Sequence, residues 1–354
     1  MNRKIRVLIV DDSALMRKMI RDILKSDPQI EVIATARDGE DGLIKARELQ
    51  PDVVTLDINM PGMDGLTVLQ HILNESICPV VMVSSLTQEG ALTTLEALEL
   101  GAFDYVPKPG GTVSLNLKSV SQEIIDKVKA ASKSNIYEKI KKRVSKVRQK
   151  TTEKFVSHIT EDTDIKNAVA IGVSTGGPGT LQEIIPFLPE DLEAAVFIVQ
   201  HMPANFTASF AKRLNSMAKF LFKEAEGGDT VYNTHGYLGK GGYHLLLRNR
   251  LNKISIRLST NPEHLFVPSV DIMMESVLSI FGKNTVGVLL TGMGDDGAEA
   301  MVKIRNAGGI TIAESEETAI VFGMPMEAIK RGGADVIAPS YKIADEIVKA
   351  VKSL

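Results

Sequence analysis

Ala170-Ile171-Gly172-Val173-Ser174-Thr175-Gly176-Gly177-Pro178-Gly179-Thr180 reads as an apolar strand that runs into a glycine-rich turn and then a helix. Gly172, Ser174 and Gly176 fit the Gly-x-Ser-x-Gly spacing of a nucleophile elbow, a sharp strand-to-helix turn that needs unusual backbone angles and no bulk beside the serine. The helix expected over residues 179–188 aims its N-terminus at the same spot, where free N–H groups and the positive dipole end favour a developing anion. Alone, the pattern leaves three readings open: a catalytic serine, a phosphate-binding loop, or a glycine-rich turn with an incidental serine.

The surrounding half of the chain alternates strand and helix. Strands are expected at 168–173, 194–200, 220–223, 285–290, 309–313 and 335–338, with a hairpin-like pair at 243–248 and 253–258. Helices are expected at 205–216, 269–281, 296–307, 324–331 and 343–352. In the second of these Val270, Met273, Met274, Val277, Leu278 and Phe281 form one apolar face, so its methionines read as core. What ends the strands is informative. The first ends at Ser174, the second at His201, and the strand at 285–290 runs into Thr291-Gly292-Met293-Gly294-Asp295-Asp296-Gly297. If these strands are parallel and adjacent, serine, histidine and aspartate converge on one carboxyl edge. That is the inventory for nucleophilic acyl transfer: the histidine takes the serine proton, and the acid fixes the imidazole tautomer and stabilises its cation. The chain order Ser–His–Asp differs from the Ser–Asp–His order of α/β-hydrolases, so the elbow does not imply that fold. Of the 6 histidines, His201 alone directly follows a long buried-type strand. His71 reads as a surface residue and His158 as part of a linker. His235, His244 and His264 read as hydrogen-bonded surface or loop residues.

The first third is a second alternating region, with strands at 5–10, 31–36, 52–56, 79–83 and 103–106 and helices from Ser13, over 39–49, 64–73 and 88–100, and a last one at 122–131. Five β/α repeats with strands apolar on both faces imply a doubly wound parallel sheet. Asp11, Asp12, Asp57, Ser84 and Lys108 all fall just past strand C-terminal ends, the edge where open α/β sheets bind ligands. Three carboxylates meeting there repel one another unless a cation joins them, and hard oxygen ligands with vacant positions suit Mg²⁺. Lys108 and Ser84 add a charge and a hydroxyl for an incoming anion, and a carboxylate in such a setting can attack phosphorus. Solvated acidic loops account for one such residue but not for five at equivalent strand ends.

At 354 residues the chain has room for about two domains. A net charge of −3 excludes a globally basic nucleic-acid binder, and no apolar run reaches the roughly 20 residues of a membrane span. The N-terminus enters a strand at once, without a signal-peptide core, and Cys78 has no partner for a disulfide or a cysteine-built metal site, so a soluble cytoplasmic protein is expected. Residues 133–154 are polar and basic, with Ile136, Ile140, Val144 and Val147 at helical spacing. They read as a linker helix or a docking face, and no helix-turn-helix companion points to DNA.

Two resemblances follow from these residues. Val10-Asp11-Asp12-Ser13, Leu56-Asp57-Ile58-Asn59-Met60-Pro61-Gly62-Met63-Asp64-Gly65, Ser84 and Tyr105-Val106-Pro107-Lys108-Pro109 resemble the receiver domain of two-component response regulators. The resemblance implies phosphorylation of Asp57 by a histidine kinase. It implies Mg²⁺ held by Asp12, Asp57 and the Asn59 backbone carbonyl, with Asp11 close by. Ser84 and Lys108 would sense the phosphoryl group, and Tyr105 would reorient with it. Gly172-Val173-Ser174-Thr175-Gly176-Gly177, Gln200-His201-Met202-Pro203 and Leu290-Thr291-Gly292-Met293-Gly294-Asp295-Asp296-Gly297 resemble the CheB family of chemotaxis protein-glutamate methylesterases and glutamine deamidases. That family's triad maps by motif position to Ser174, His201 and Asp296. Met293 would lend a backbone N–H to the oxyanion hole, and Thr175 would support the site. The family commonly has asparagine where this chain has Asp295, which leaves two candidate acids. Motif position favours Asp296, and Asp295 is expected to cap the next helix or face solvent.

The domains implied are a receiver at 1–125, a linker at 126–165 and a doubly wound α/β methylesterase domain with a mainly parallel sheet at 166–354. The implied substrate is the glutamate γ-methyl ester (or a glutamine) of methyl-accepting chemotaxis receptors, and the implied phosphodonor is the chemotaxis histidine kinase. Neither nucleic acid nor membrane insertion is expected, and the esterase chemistry needs no metal. A receiver-controlled esterase or amidase on another protein, and a non-catalytic response regulator, remain the rival readings.

Overall fold

The computed structural model describes residues 3–85, 87–108, 117–134, 162–251 and 253–354, and only the backbone of residues 88, 89 and 117–119. The chain divides into two compact units, Met1–Ile140 and Lys141–Leu354. The basic linker reading at 133–154 lies, from residue 135 on, outside the described residues.

The first unit runs β1 (Ile5–Val10), α1 (Ala14–Lys25), β2 (Ile30–Ala36), α2 (Gly39–Leu49), β3 (Val53–Asp57), α3 (Gly65–Asn74), β4 (Val80–Ser84), α4 (Gln88–Leu100), β5 (Asp104–Pro107) and α5 (Leu117–Lys133). Its strands form one parallel sheet in the order β2, β1, β3, β4, β5. Every residue of β3 and β4 is buried, which is why they read as unbroken apolar runs. Ser13, Asp38, Asp64 and Thr87 each accept a backbone N–H at the start of a helix, contributing on the order of 1 kcal/mol apiece. These caps set where each helix begins, and the parallel pairing of β1, β3, β4 and β5 puts Asp11, Asp57, Ser84 and Lys108 on one edge. Cys78 is buried, and burial pushes its thiol up to about 12, leaving it an inert apolar side chain.

The second unit runs β6 (Asn167–Val173), α6 (Gly177–Ile184), β7 (Ala194–Gln200), α7 (Ala204–Met217), β8 (Phe222–Glu224), β9 (Gly236–Leu238), β10 (His244–Arg250), β11 (Lys253–Ser259), α8 (Val270–Phe281), β12 (Thr285–Leu289), α9 (Ala298–Asn306), β13 (Ile310–Glu314), α10 (Met324–Lys330), β14 (Val336–Ala338) and α11 (Ser340–Ser353). Seven strands make a parallel sheet in the order β14, β13, β12, β6, β7, β9, β8, and β10 and β11 form a separate antiparallel pair. The apolar face of α8 buries Val270, Met273, Met274 and Val277 against β6, β10 and α9, as core and not as a cofactor site.

Three local differences from the sequence reading have physical causes. The helix expected to reach residue 188 ends at Ile184 and tightens into a short turn, Ile185–Phe187, because Pro186 cannot donate to a continuing helix. The helix expected from residue 296 begins at Ala298 behind Gly297, so Asp296 stays in the preceding loop. β9 was not anticipated. Three residues carry no periodic signal, and this strand forms because Tyr237 and Leu238 are buried beside β7.

Candidate active site

The site of the second unit follows from strand order. β7 and β12 flank β6, each parallel to it, with Val173 paired to Gln200 and Gly172 to Leu289. Residues that follow the three strands therefore meet at one carboxyl edge. Backbone bonds carry the register one residue further: His201 N–H donates to the Val173 carbonyl at 3.1 Å and Ser174 N–H to the Thr291 carbonyl at 3.0 Å. Ser174, His201 and Asp296 are thereby brought together. The turn that frees Ser174 depends on Gly176, which has φ of +78°, a left-handed conformation that disfavours a β-carbon. A β-carbon there would also press on the Ile320 side chain at 2.6 Å.

His201 Nε2 lies 2.8 Å from Asp296 Oδ2 and His201 Nδ1 lies 3.2 Å from Ser174 Oγ. A carboxylate only accepts, so Nε2 carries the ring proton and Nδ1 offers a lone pair to the serine hydroxyl. The ring is turned end for end relative to the usual serine-protease arrangement, in which Nδ1 faces the acid. Phe266 stacks on it, with centroids 4.3 Å apart and planes 10° from parallel.

Asp296 is 3% exposed and accepts at both oxygens. Oδ1 receives the Ser269 hydroxyl at 2.9 Å and the Asp271 N–H at 3.0 Å, while Oδ2 receives the Val270 N–H at 2.7 Å besides the imidazole. Burial pushes its pKa up, but the His201 hydrogen bond and charge and the two backbone N–H groups at the start of α8 outweigh this. Together they hold it at about 2. Asp295 is different: its side chain is 61% exposed and pairs with Arg331 at 2.6 Å. It faces solvent, and α9 has no side-chain cap.

Around these residues lie Gln200 and Thr291, to which the sequence reading gave no role. Gln200 donates its side-chain amide to the carbonyls of Ser174, at 2.9 Å, and His201, at 3.1 Å, tying together the backbones of both residues. Thr291 donates its hydroxyl to the Thr175 carbonyl at 2.9 Å and its N–H to buried Glu314 at 2.8 Å. Thr175 is itself buried beside Ser174. The Met293 N–H has no acceptor among the described residues. Ser269 was legible only as the first residue of an expected helix. Gln200 stood in a quoted motif, but its amide contacts needed the fold. His235 and His244 are buried and hydrogen-bonded, not surface residues, whereas His264 is exposed.

In the first unit Asp11, Asp12 and Asp57 bring carboxylate oxygens within 4.8 Å of one another. Lys108 Nζ donates to Asp57 Oδ2 at 2.8 Å and stands 3.5 Å from Asp11 Oδ2. Burial is the main cause that raises the pKa of both Asp11 and Asp57, reinforced by neighbouring carboxylates and opposed by Lys108. Asp11 Oδ2 is buried and accepts no hydrogen bond, an orphaned acceptor aimed into the cluster. Hard oxygen donors with an unmet acceptor suit a small divalent cation. Ser84 Oγ, a buried hydroxyl, receives the Thr94 hydroxyl at 2.7 Å. The Tyr105 ring is buried with the Lys127 ammonium 5.0 Å over its centre. Asn59 N–H reaches Asp57 Oδ1 at 3.4 Å.

Fold and sites define the class: an α/β receiver with an acidic phosphoacceptor-type edge, followed by an α/β domain with a hydrolase-type serine–histidine–aspartate edge. The CheB methylesterase family profile matches residues 169–347, and the response regulator receiver profile matches residues 7–118. The chain is 56% identical over 350 residues to the protein-glutamate methylesterase/protein-glutamine glutaminase 3 of Syntrophomonas wolfei, with 98% of this chain and 99% of the relative aligned. It is 52% identical to the corresponding protein of Caldanaerobacter subterraneus, over 99% of this chain and 98% of that one. The crystal structure of the Thermotoga maritima CheB methylesterase catalytic domain superposes with a TM-score of 0.51 at 40% identity, covering 52% of this chain and 97% of that one. The chain belongs to the CheB family of receiver-linked protein-glutamate methylesterases/protein-glutamine glutaminases. No helix among the described residues is long and apolar enough to cross a membrane.

Proposed function

We propose that this chain is a protein-glutamate methylesterase and protein-glutamine glutaminase whose activity is governed by phosphorylation of its receiver. It hydrolyses glutamate γ-methyl esters, and deamidates glutamines, on methyl-accepting chemotaxis receptors in the cytoplasm. The observation that carries this reading is the continuous hydrogen-bonded line from Ser174 through His201 to Asp296.

In this mechanism Ser174 Oγ attacks the ester carbonyl while His201 Nδ1 takes its proton. Asp296, ionised across the working range, holds the Nε2–H tautomer and stabilises the imidazolium. The oxyanion meets the Met293 N–H, and one such donor is worth about 10²–10³ in rate. At the start of α6 the Gly177 N–H is already taken by the Ser174 carbonyl at 2.8 Å, and Pro178 has none. His201 returns its proton to the leaving methanol, or to ammonia when the substrate is glutamine. It then activates the water that hydrolyses the acyl-enzyme. Thr175 and Gln200 keep the elbow and the imidazole at working distance.

In the receiver, Asp57 takes the phosphoryl group from the chemotaxis histidine kinase. Asp11, Asp12, Asp57 and the Asn59 carbonyl are the residues that would hold Mg²⁺, which when bound neutralises phosphoryl oxygens and the crowded carboxylates. Lys108 and Ser84 then engage the new anion, and Tyr105 reorients. Phosphorylation biases a two-state receiver, and the esterase follows that population. The domain division that goes with this reading is 1–125, 126–165 and 166–354.

The serine half is tested by treating the intact protein with a fluorophosphonate probe and locating the adduct by peptide mass spectrometry. One adduct on Ser174, lost in Ser174→Ala, supports the reading. An unlabelled wild type, with Asp57 phosphorylated, would reduce the second unit to a binding module.

A further inference from the structure

Asp296 is positioned by Ser269, and Ser269 is in turn positioned by a buried histidine outside the proposed triad. His244 opens β10 with no exposed surface. Its Nε2 lies 3.0 Å from the Pro262 carbonyl, and the Ser269 N–H points at its Nδ1 at 3.2 Å. Carbonyl and N–H leave a single assignment: Nε2 carries the proton and Nδ1 is a bare acceptor. Ser269 then does two things with one hydroxyl. It accepts the Ile272 N–H as the cap of α8, and it donates to Asp296 Oδ1. The two residues after it turn their N–H groups onto the same carboxylate.

We propose that His244 is a positioning residue for catalysis, the outer end of a relay His244–Ser269–Asp296–His201–Ser174. Its Nδ1 lone pair orients Ser269 and thereby three of the four donors that hold Asp296. The proposal rests on the triad reading given above. The physical ground is that a buried N–H must find an acceptor, and Ser269 N–H finds it in this imidazole. Outer partners of this kind fix the orientation of the groups that touch the reacting atoms. Rotation of Ser269 would shift its hydroxyl and the start of α8 together, and Asp296 would lose its aim at His201 Nε2. Burial lowers the pKa of His244, which favours the neutral ring that the relay needs. The Pro262 carbonyl opposes this, nearby His264 reinforces it, and Asp296 opposes it. The His264 ring lies 6.4 Å away.

Two isosteric substitutions in the full-length protein separate this role from a merely structural one. In His244→Asn the side-chain oxygen stands where Nδ1 stood and still accepts the Ser269 N–H, but the donor to Pro262 is lost. In His244→Gln the amide nitrogen stands where Nε2 stood and still donates to Pro262, but the acceptor for Ser269 is lost. The readout is the rate of fluorophosphonate capture at Ser174, resolved into probe affinity and maximal capture rate, with thermal unfolding measured in parallel. The relay predicts that His244→Gln slows maximal capture about tenfold or more with affinity unchanged, as expected for a lost buried hydrogen bond. His244→Asn should stay within about threefold of wild type on the same scale. The proposal is overturned if His244→Gln captures at the wild-type rate. It is also overturned if His244→Asn is slowed as much as His244→Gln, since that pattern assigns the residue to holding the Pro262 segment. A wild type that takes no adduct at Ser174 overturns the triad reading itself, and the relay with it.

Discussion

The Nε2 atom of His201 lies 2.8 Å from Asp296 Oδ2, which leaves Nδ1 to face Ser174 Oγ. The acid is held by three further donors from residues 269–271, so its geometry is set by the start of α8 as much as by the imidazole. Asp296→Asn should keep the fold but let the ring adopt the wrong tautomer. The expected loss in kcat is about 10⁴-fold with KM little changed. Steady-state kinetics on methylated receptor fragments check this, and a variant within tenfold of wild type would remove Asp296 from the mechanism.

Gln200 makes a second prediction. Its amide holds the carbonyls of Ser174 and His201, and losing two such bonds costs on the order of 1–3 kcal/mol of positioning, or about 5- to 150-fold in kcat. Gln200→Leu should show that loss with the far-ultraviolet spectrum intact. Unchanged kcat would mean that strand register alone suffices.

A third prediction concerns acid stability. The folded pKa of Asp296, about 2, lies below its unfolded value of about 3.9. Its contribution is therefore fully present above about pH 4 and is lost as pH falls toward 2, about 2 kcal/mol in all. Denaturant titrations from pH 5 to 2 should show the wild type losing more stability than Asp296→Asn across that window. Parallel curves would show that the carboxylate is not held as described.

The receiver supplies the fourth. Asp11 and Asp57 are crowded and buried, with raised pKa values, so their ionised forms weigh against the fold. Mg²⁺ at ten times its Kd should stabilise the receiver by about 1.4 kcal/mol, seen as a rise of several degrees in its calorimetric transition. Asp57→Asn should unfold at a higher temperature than wild type without Mg²⁺ and respond weakly to it. A variant that responds to Mg²⁺ as the wild type does would place the cation elsewhere.

Much of this architecture was legible because each chemistry-bearing residue follows a strand. Asp11, Asp57, Ser84 and Lys108 could be assigned to one sheet edge from strand ends alone, and Ser174 and His201 likewise. What the chain does not spell out is neighbourhood. That β6 lies between β7 and β12 is a matter of sheet order, which periodicity does not encode. The choice between Asp295 and Asp296 had to rest on motif position, because adjacent carboxylates look alike until one is buried and the other meets Arg331. Phe266, Ser269 and His244 lie far from Ser174 in sequence, and their contacts exist only once the 259–269 segment folds back over the sheet edge. A histidine that opens a hairpin strand reads as a loop residue until the helix packed beneath it is known.

The central claim is that one chain couples phosphorylation at Asp57 to ester hydrolysis at Ser174. The most direct test is methanol release from methylated receptor cytoplasmic fragments by the full-length protein, with and without Mg²⁺ and a small phosphodonor. Release that disappears in Ser174→Ala, and that the phosphodonor raises in wild type but not in Asp57→Asn, is the predicted result. No release from a protein whose Asp57 is verifiably phosphorylated, or release that persists in Ser174→Ala, would contradict it.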